Sequence, residues 1–121
     1  MPRMWMIDPA TLCRRHLIAE HHETHVFAGK LAKGTKVTGY LDANLLEPAA
    51  LEDRHDALVA EMIARGYNHG SPLDPDKVRA GRARLTNAET ATVIDREKVK
   101  ADLHGRCSEC AELYRLKYPA P

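Results

Sequence analysis

Between Glu20 and His25 the sequence reads Glu-His-His-Glu-Thr-His, six polar residues in succession. At about 100° per residue such a run covers every face of a helix for more than a turn. His21 and His25 are spaced i, i+4 and could share a metal. The pattern is not that of the zincins, which needs Glu directly after the first His, and Glu23 is in the wrong place. With no clear third ligand, solvated or phosphate-facing histidines are the preferred reading. On the same periodicity Leu12, His16, Glu20, Glu23 and Phe27 form one stripe, with Cys13 and Leu31 beside it. Two carboxylates and a histidine thus sit among apolar residues, where Glu rarely goes without a partner. Two readings stay open. The stripe is a half-exposed edge with ordinary carboxylates, or it lines a cleft holding a carboxylate whose pKa is raised by desolvation and its neighbour. A third constellation is Cys107-Ser-Glu-Cys110, a C-x-x-C. With Cys13 and His104 it could complete a four-ligand zinc site, although two thiols packed on a core stripe is the simpler account.

Helices must position these groups. Asp8-Pro9 supplies a cap and a first-position proline, so a first helix is expected from there to about Ala28-Gly29. Gly29, Gly34 and Gly39 then break up the segment from Lys30 to Tyr40. A second helix is expected from Glu47-Pro48 to Gly66. Its stripe is Leu51, His55, Leu58, Val59, Met62 and Ile63. Tyr67 to Ile94 reads as a long irregular connection with turn chemistry at Gly70-Ser71-Pro72 and Asp74-Pro75-Asp76, and with room for a short helix from Asp76 to Arg82. A third helix is expected from Asp95 to about Lys117, carrying Val99, Leu103, Cys107, Cys110 and Tyr114, with Gly105 weakening its continuity. No segment alternates with β-branched residues. The expected fold is all-α: residues 1–121 as a single compact domain of three main helices, with the long connection before the last.

Composition bounds the partners. The chain has 121 residues, with 18 Lys and Arg against 17 Asp and Glu, a net charge of +1. That excludes a strongly basic nucleic-acid-coating protein and leaves a local basic patch open. No apolar run reaches the ~18 residues of a membrane span, and the start lacks the apolar region of a signal peptide. Three cysteines do not suggest a disulfide framework. The expectation is a cytoplasmic, monomeric protein.

The same residues carry a family resemblance. Pro2-Arg3, His16-Leu-Ile-Ala-Glu-His-His-Glu23, Val26-Phe27 and Leu58-Val-Ala-Glu-Met-Ile-Ala-Arg-Gly-Tyr-Asn68 resemble the pyrimidine-dimer DNA glycosylase/AP-lyase family, the endonuclease V-type enzymes that repair ultraviolet damage. The tail Tyr114-Arg-Leu-Lys-Tyr118 matches loosely. The likeness covers most of the first 70 residues, and the two helix motifs together make it specific. It implies a three-helix domain acting on damaged double-stranded DNA without a cofactor. It also implies an N-terminal α-amine nucleophile, which falls on Pro2 once Met1 is removed. Glu23 matches the family's catalytic glutamate, and Arg3 and His16 match residues lining its pocket. An α-amine has a pKa of about 7.7–8.0, so a useful fraction is nucleophilic near neutral pH. Phosphate contacts are expected from Arg3, Arg15, His16, His22, His25, Arg115 and Lys117, with Arg14, Lys30, Lys33 and Lys36 as further candidates. Better-known members carry arginine where this chain has His22 and, with a one-residue shift, His25. The alternatives are a non-catalytic helical DNA-binding module and a Cys/His metal-binding helical protein.

Overall fold

The computed structural model describes residues 2–69 and 71–121. It is all-α. Seven α-helices are present among the described residues: α1 Arg14–Ala32, α2 Thr38–Asp42, α3 Leu51–Ala64, α4 Pro75–Arg82, α5 Asn87–Thr90, α6 Arg96–Arg106 and α7 Ser108–Lys117. Three main helices and one short one were expected and seven are found, and the extra boundaries have local causes.

The first lies at Cys13. Asp8 caps a 3₁₀ turn over Pro9–Thr11, accepting the Ala10 N–H at 3.0 Å. The chain then runs extended through Leu12 and Cys13, and the Cys13 side chain caps a new start at α1. The second lies at Cys107, which is extended (φ −136°, ψ 102°) and whose sulfur accepts the Cys110 N–H to cap α7. The expected helix over 95–117 is thereby split into α6 and α7 two residues past Gly105. The expected second helix opens as a 3₁₀ turn at Pro48–Ala50 before α3, and stops as anticipated at Gly66, whose φ of +84° is left-handed. The connection after it holds the short helix α4, close to where it was expected. It also holds α5, which a Thr86/Glu89 capping box starts and which was not foreseen.

α1 is the central element, flanked by α3 and α4. α4 approaches so closely that a Cβ on Gly81 would sit 2.5 Å from the Leu31 backbone, so only glycine fits there. α6 and α7 pack on each other, and α7 also meets the N-terminal 3₁₀ turn. The core joins Leu12, Leu17, Phe27 and Leu31 from the first segment to Leu51, Leu58, Val78, Val99 and Leu103 from the others. The N-terminal stretch is part of it. Met4, Trp5 and Ile7 are buried, and the Met4 N–H donates to the Leu45 carbonyl at 2.8 Å. Arg65 stitches α3 to the start of the chain through the Leu12 carbonyl at 2.7 Å. No helix among the described residues is long and apolar enough to cross a membrane.

Candidate active site and two ligand clusters

The carboxylate stripe of α1 faces the N-terminal stretch. Glu20 is fully buried and takes a bidentate pair from Arg54 of α3, Nε at 2.6 Å and Nη2 at 2.8 Å. The Met6 N–H points at the same carboxylate from 3.5 Å. Met6 has a positive φ of 57°, which for a residue with a side chain is a strained turn, and it bends the segment over the helix. Glu23, less than a turn further on, is only half-buried. Its Oε2 accepts the Arg3 backbone N–H at 2.9 Å. The Arg3 amide nitrogen is three covalent bonds from the Pro2 nitrogen, so Glu23 and Pro2 are neighbours. Burial holds the Glu23 carboxyl above the usual glutamate range. The Arg3 N–H opposes this, and the negative charge of Glu20 adds to it. Of the two readings of the stripe, ordinary solvated carboxylates are not what forms: Glu20 is fully buried and Glu23 has a raised pKa.

Arg3 itself is locked. Its guanidinium lies 3.8 Å over the Trp5 ring, and Nη1 donates to Asp102 of α6 at 2.9 Å. Beside it a depression of about 460 Å³ is lined by Arg3, Asn44, Lys98, Asp102 and Arg106 among others. Another depression, about 510 Å³, lies elsewhere, between α1 and α4, with His25, Lys33, Leu73 and Val78 on its walls. It is mostly apolar and does not contain the carboxylates.

The other expected contact residues scatter. Arg15 and His22 are exposed on α1, as are Lys33 and Lys36 beyond it. Arg14 stacks on Tyr67, 4.8 Å from the ring centre, and Lys30 lies 5.7 Å over Tyr40. Arg115 pairs with Glu112 in its own helix, and Lys117 with Asp8 at 2.5 Å. Both tail cations thus already have carboxylate partners.

His16 and His25 sit in two separate ligand clusters. His16 Nδ1 is 3.1 Å from the Cys13 sulfur and 3.6 Å from that of Cys110, and the Cys107 and Cys13 sulfurs are 3.9 Å apart. The four ligand atoms lie within 4.8 Å of one another. His104, the fourth ligand that the sequence offers, instead stacks on Tyr114 at 5.1 Å. Burial pushes the Cys110 thiol up to about 12. Burial works the same way at Cys107, but hydrogen bonds from the Cys110 and Glu109 backbones and the neighbouring thiols outweigh it and hold that thiol below its usual value. Burial, reinforced by the charge of Arg15, also lowers His16.

The second cluster joins His21 and His25 of α1 to His55 of α3 and His69 beyond it, again within 4.8 Å. His21 Nε2 is 2.8 Å from His69 Nε2. Asp56 meets His55 Nδ1 at 3.0 Å, and the Ser71 carbonyl meets its Nε2 at 3.2 Å. Burial and then the charges of His55, His25 and His69 push His21 down to about 4. Burial and His55 lower His25.

Sequence reasoning missed Arg54 as the partner of Glu20, and His55 and His69 as members of a cluster. His55 was visible only as a polar break in an apolar stripe, which is itself a signal. A second signal is that Cys13-x-x-His16 repeats the spacing of Cys107-x-x-Cys110.

A family model described as pyrimidine dimer DNA glycosylase matches residues 3–75, more than half of the chain. That span holds the carboxylate site and all four clustered histidines, and it stops before Cys107 and Cys110. No curated protein and no solved structure matches the chain.

Proposed function

The chain belongs to the pyrimidine dimer DNA glycosylase family, and from that premise we propose that it excises damaged bases with an N-terminal amine and cleaves the resulting abasic site as an AP lyase. The observation that carries this reading is Glu23. It is a half-buried carboxylate with a raised pKa, hydrogen-bonded to the amide next to Pro2. With Met1 removed, the Pro2 nitrogen attacks C1′ of the damaged nucleotide, and the bond from C1′ to the base breaks. Loss of the amine proton and opening of the sugar ring give an iminium at C1′. Its positive charge acidifies the C2′ proton, so a base can remove it, and the 3′ phosphate leaves by β-elimination. Glu23 stabilises the cationic sugar and then moves protons. A carboxyl with a raised pKa suits both tasks near neutral pH.

The preceding geometry supports a held nucleophile. An amine on a free terminus would lose orientation, whereas Arg3 stacked on Trp5 and the buried Met4 fix the residues beside Pro2. Duplex DNA would meet Arg3, Arg15 and His22 through its phosphates, with Arg115 and Lys117 contributing where DNA outcompetes Glu112 and Asp8. The damaged nucleotide must leave the stack to expose C1′.

The test is borohydride trapping on duplexes carrying either a cyclobutane dimer or an abasic site. Processing of the N-terminus is checked first by mass spectrometry. The expected result is a covalent adduct mapping to Pro2. An adduct with the dimer supports both steps, and one with the abasic site alone supports only the lyase. Folded protein that traps with neither substrate would leave a non-catalytic DNA-binding module.

A further inference from the structure

The thiol cluster plays no part in that chemistry, and its geometry is that of a metal site. We propose that Cys13, His16, Cys107 and Cys110 bind a structural zinc ion as a three-thiolate, one-imidazole tetrahedron. Zinc–sulfur bonds of about 2.3 Å in a tetrahedron place sulfurs about 3.8 Å apart. Cys13 and Cys107 stand at 3.9 Å. The ligands come as two pairs with the same spacing, C-x-x-H at 13–16 and C-x-x-C at 107–110. In each pair the first sulfur accepts the N–H of the second ligand, from His16 to Cys13 at 3.5 Å and from Cys110 to Cys107 at 3.4 Å. The remaining sulfur, Cys110, accepts the Cys13 N–H at 3.2 Å. Every sulfur thus receives a backbone donor, which is the surrounding that orients and stabilises metal thiolates. Cys13 and Cys107 also stand at the N-termini of α1 and α7, where the helix dipoles favour negative charge. All three cysteines are buried, and an odd number of thiols cannot be consumed by internal disulfides.

Such an ion would join the start of α1 to the start of α7. It would also brace the N-terminal stretch. The His16 ring stands edge-on to Trp5, 5.8 Å between centres, and Trp5 carries the Arg3 guanidinium on its face. His16 is therefore a positioning residue for the segment beside Glu23. Trp5 is the only tryptophan, so its fluorescence reports on this contact.

The experiment uses full-length protein purified without a histidine tag or chelator. Its zinc is measured by plasma mass spectrometry, and thiol-bound zinc by release with an organomercurial. About one zinc per chain is expected in the mercurial-released fraction, lost in Cys107→Ser and Cys110→Ser. Since those variants can fail to fold, wild-type protein is also reconstituted with cobalt(II). An intense thiolate-to-cobalt charge-transfer band is expected, and metal removal should shift Trp5 emission to the red. Protein from zinc-supplemented growth that releases no zinc and shows no such band would overturn the proposal, as would a Cys13–Cys107 disulfide in that protein.

A separate observation carries a second site. In the four-histidine cluster the His25 Nε2 is buried and has no hydrogen-bond partner among the described residues. Asp56 on His55 Nδ1 resembles the carboxylate that orients a metal-bound imidazole. We infer that His21, His25, His55 and His69 hold a second divalent transition metal through nitrogen alone, with no position left open for substrate. In the same measurements a further equivalent of metal should survive the mercurial, and its cobalt form should lack thiolate charge transfer. It should disappear in His69→Ala while the mercurial-released zinc remains. Metal that leaves entirely with the mercurial would overturn this second site.

Discussion

Glu20 and Glu23 stand less than a turn apart on α1, yet their surroundings are opposite. Glu20 is fully buried and held by two hydrogen bonds from Arg54. Glu23 is half-buried, has one amide N–H, and among the described residues has no ion-pair partner. A guanidinium of this kind satisfies a buried charge and fixes it for structural use. A carboxylate left with a single neutral donor, near a second negative charge, keeps an elevated proton affinity and is available for chemistry. The fold thus makes a strut and a reactive group from the same residue type.

The largest effect that could break this comparison is on activity. Glu23→Gln should cost about 10²–10⁴-fold in abasic-site cleavage, with the fold and DNA binding retained. Cleavage by the mutant at the wild-type rate would remove Glu23 from the mechanism. Next comes the strut. Arg54→Ala leaves Glu20 buried without its partner and should lower stability by about 3–5 kcal/mol in denaturant titration. The double change Glu20→Met with Arg54→Met should recover much of that loss. If Arg54→Ala proves neutral, the pair is not the buried strut described.

Two smaller effects sharpen the contrast. The folded-state pKa of Glu23 is raised, so its charged form is disfavoured by folding, and stability should fall as pH rises through that value. Glu23→Gln should therefore have a higher melting temperature than wild type near pH 7. The gap should close below the ordinary glutamate value of 4.5. An unchanging gap across that range would contradict the raised pKa. Smallest is the effect at His22, which is exposed and is a member of neither ligand cluster. His22→Arg adds a permanent charge. If His22 meets phosphate, the mutant should bind duplex more tightly, and the salt dependence of log K should steepen by about 0.9. Equal salt slopes would place His22 away from the DNA.

Much of this was legible along the chain. The all-α class followed from helical periodicity and the lack of alternation. The end of α3 followed from Gly66, and the family from motifs within the first 70 residues. The unforeseen breaks at Cys13 and Cys107 have one cause. A cysteine side chain is a weak helix cap by composition, so nothing local marks it as a boundary. Here each sulfur takes the N–H three residues on, because the partner thiols across the fold hold it in place. His16 shows the same limit. Its position in the motif pointed to the DNA pocket and gave no sign of the thiols beside it, of which Cys110 comes from 94 residues away.

The sequence by itself determined which residues share a helix face, because 3.6-residue periodicity is a local property of the backbone. It therefore put Glu20, Glu23 and His16 on one stripe, His21 beside His25, and Cys107 beside Cys110. Only the tertiary structure decided what each of these faces. Packing α3 on α1 brought Arg54 to Glu20 and His55 to His21. The fold of the N-terminal stretch over α1 left Glu23 with one amide. The return of α7 to the start of α1 closed the thiol cluster. Partners at such separations are set by how helices pack, and no spacing along the chain encodes them.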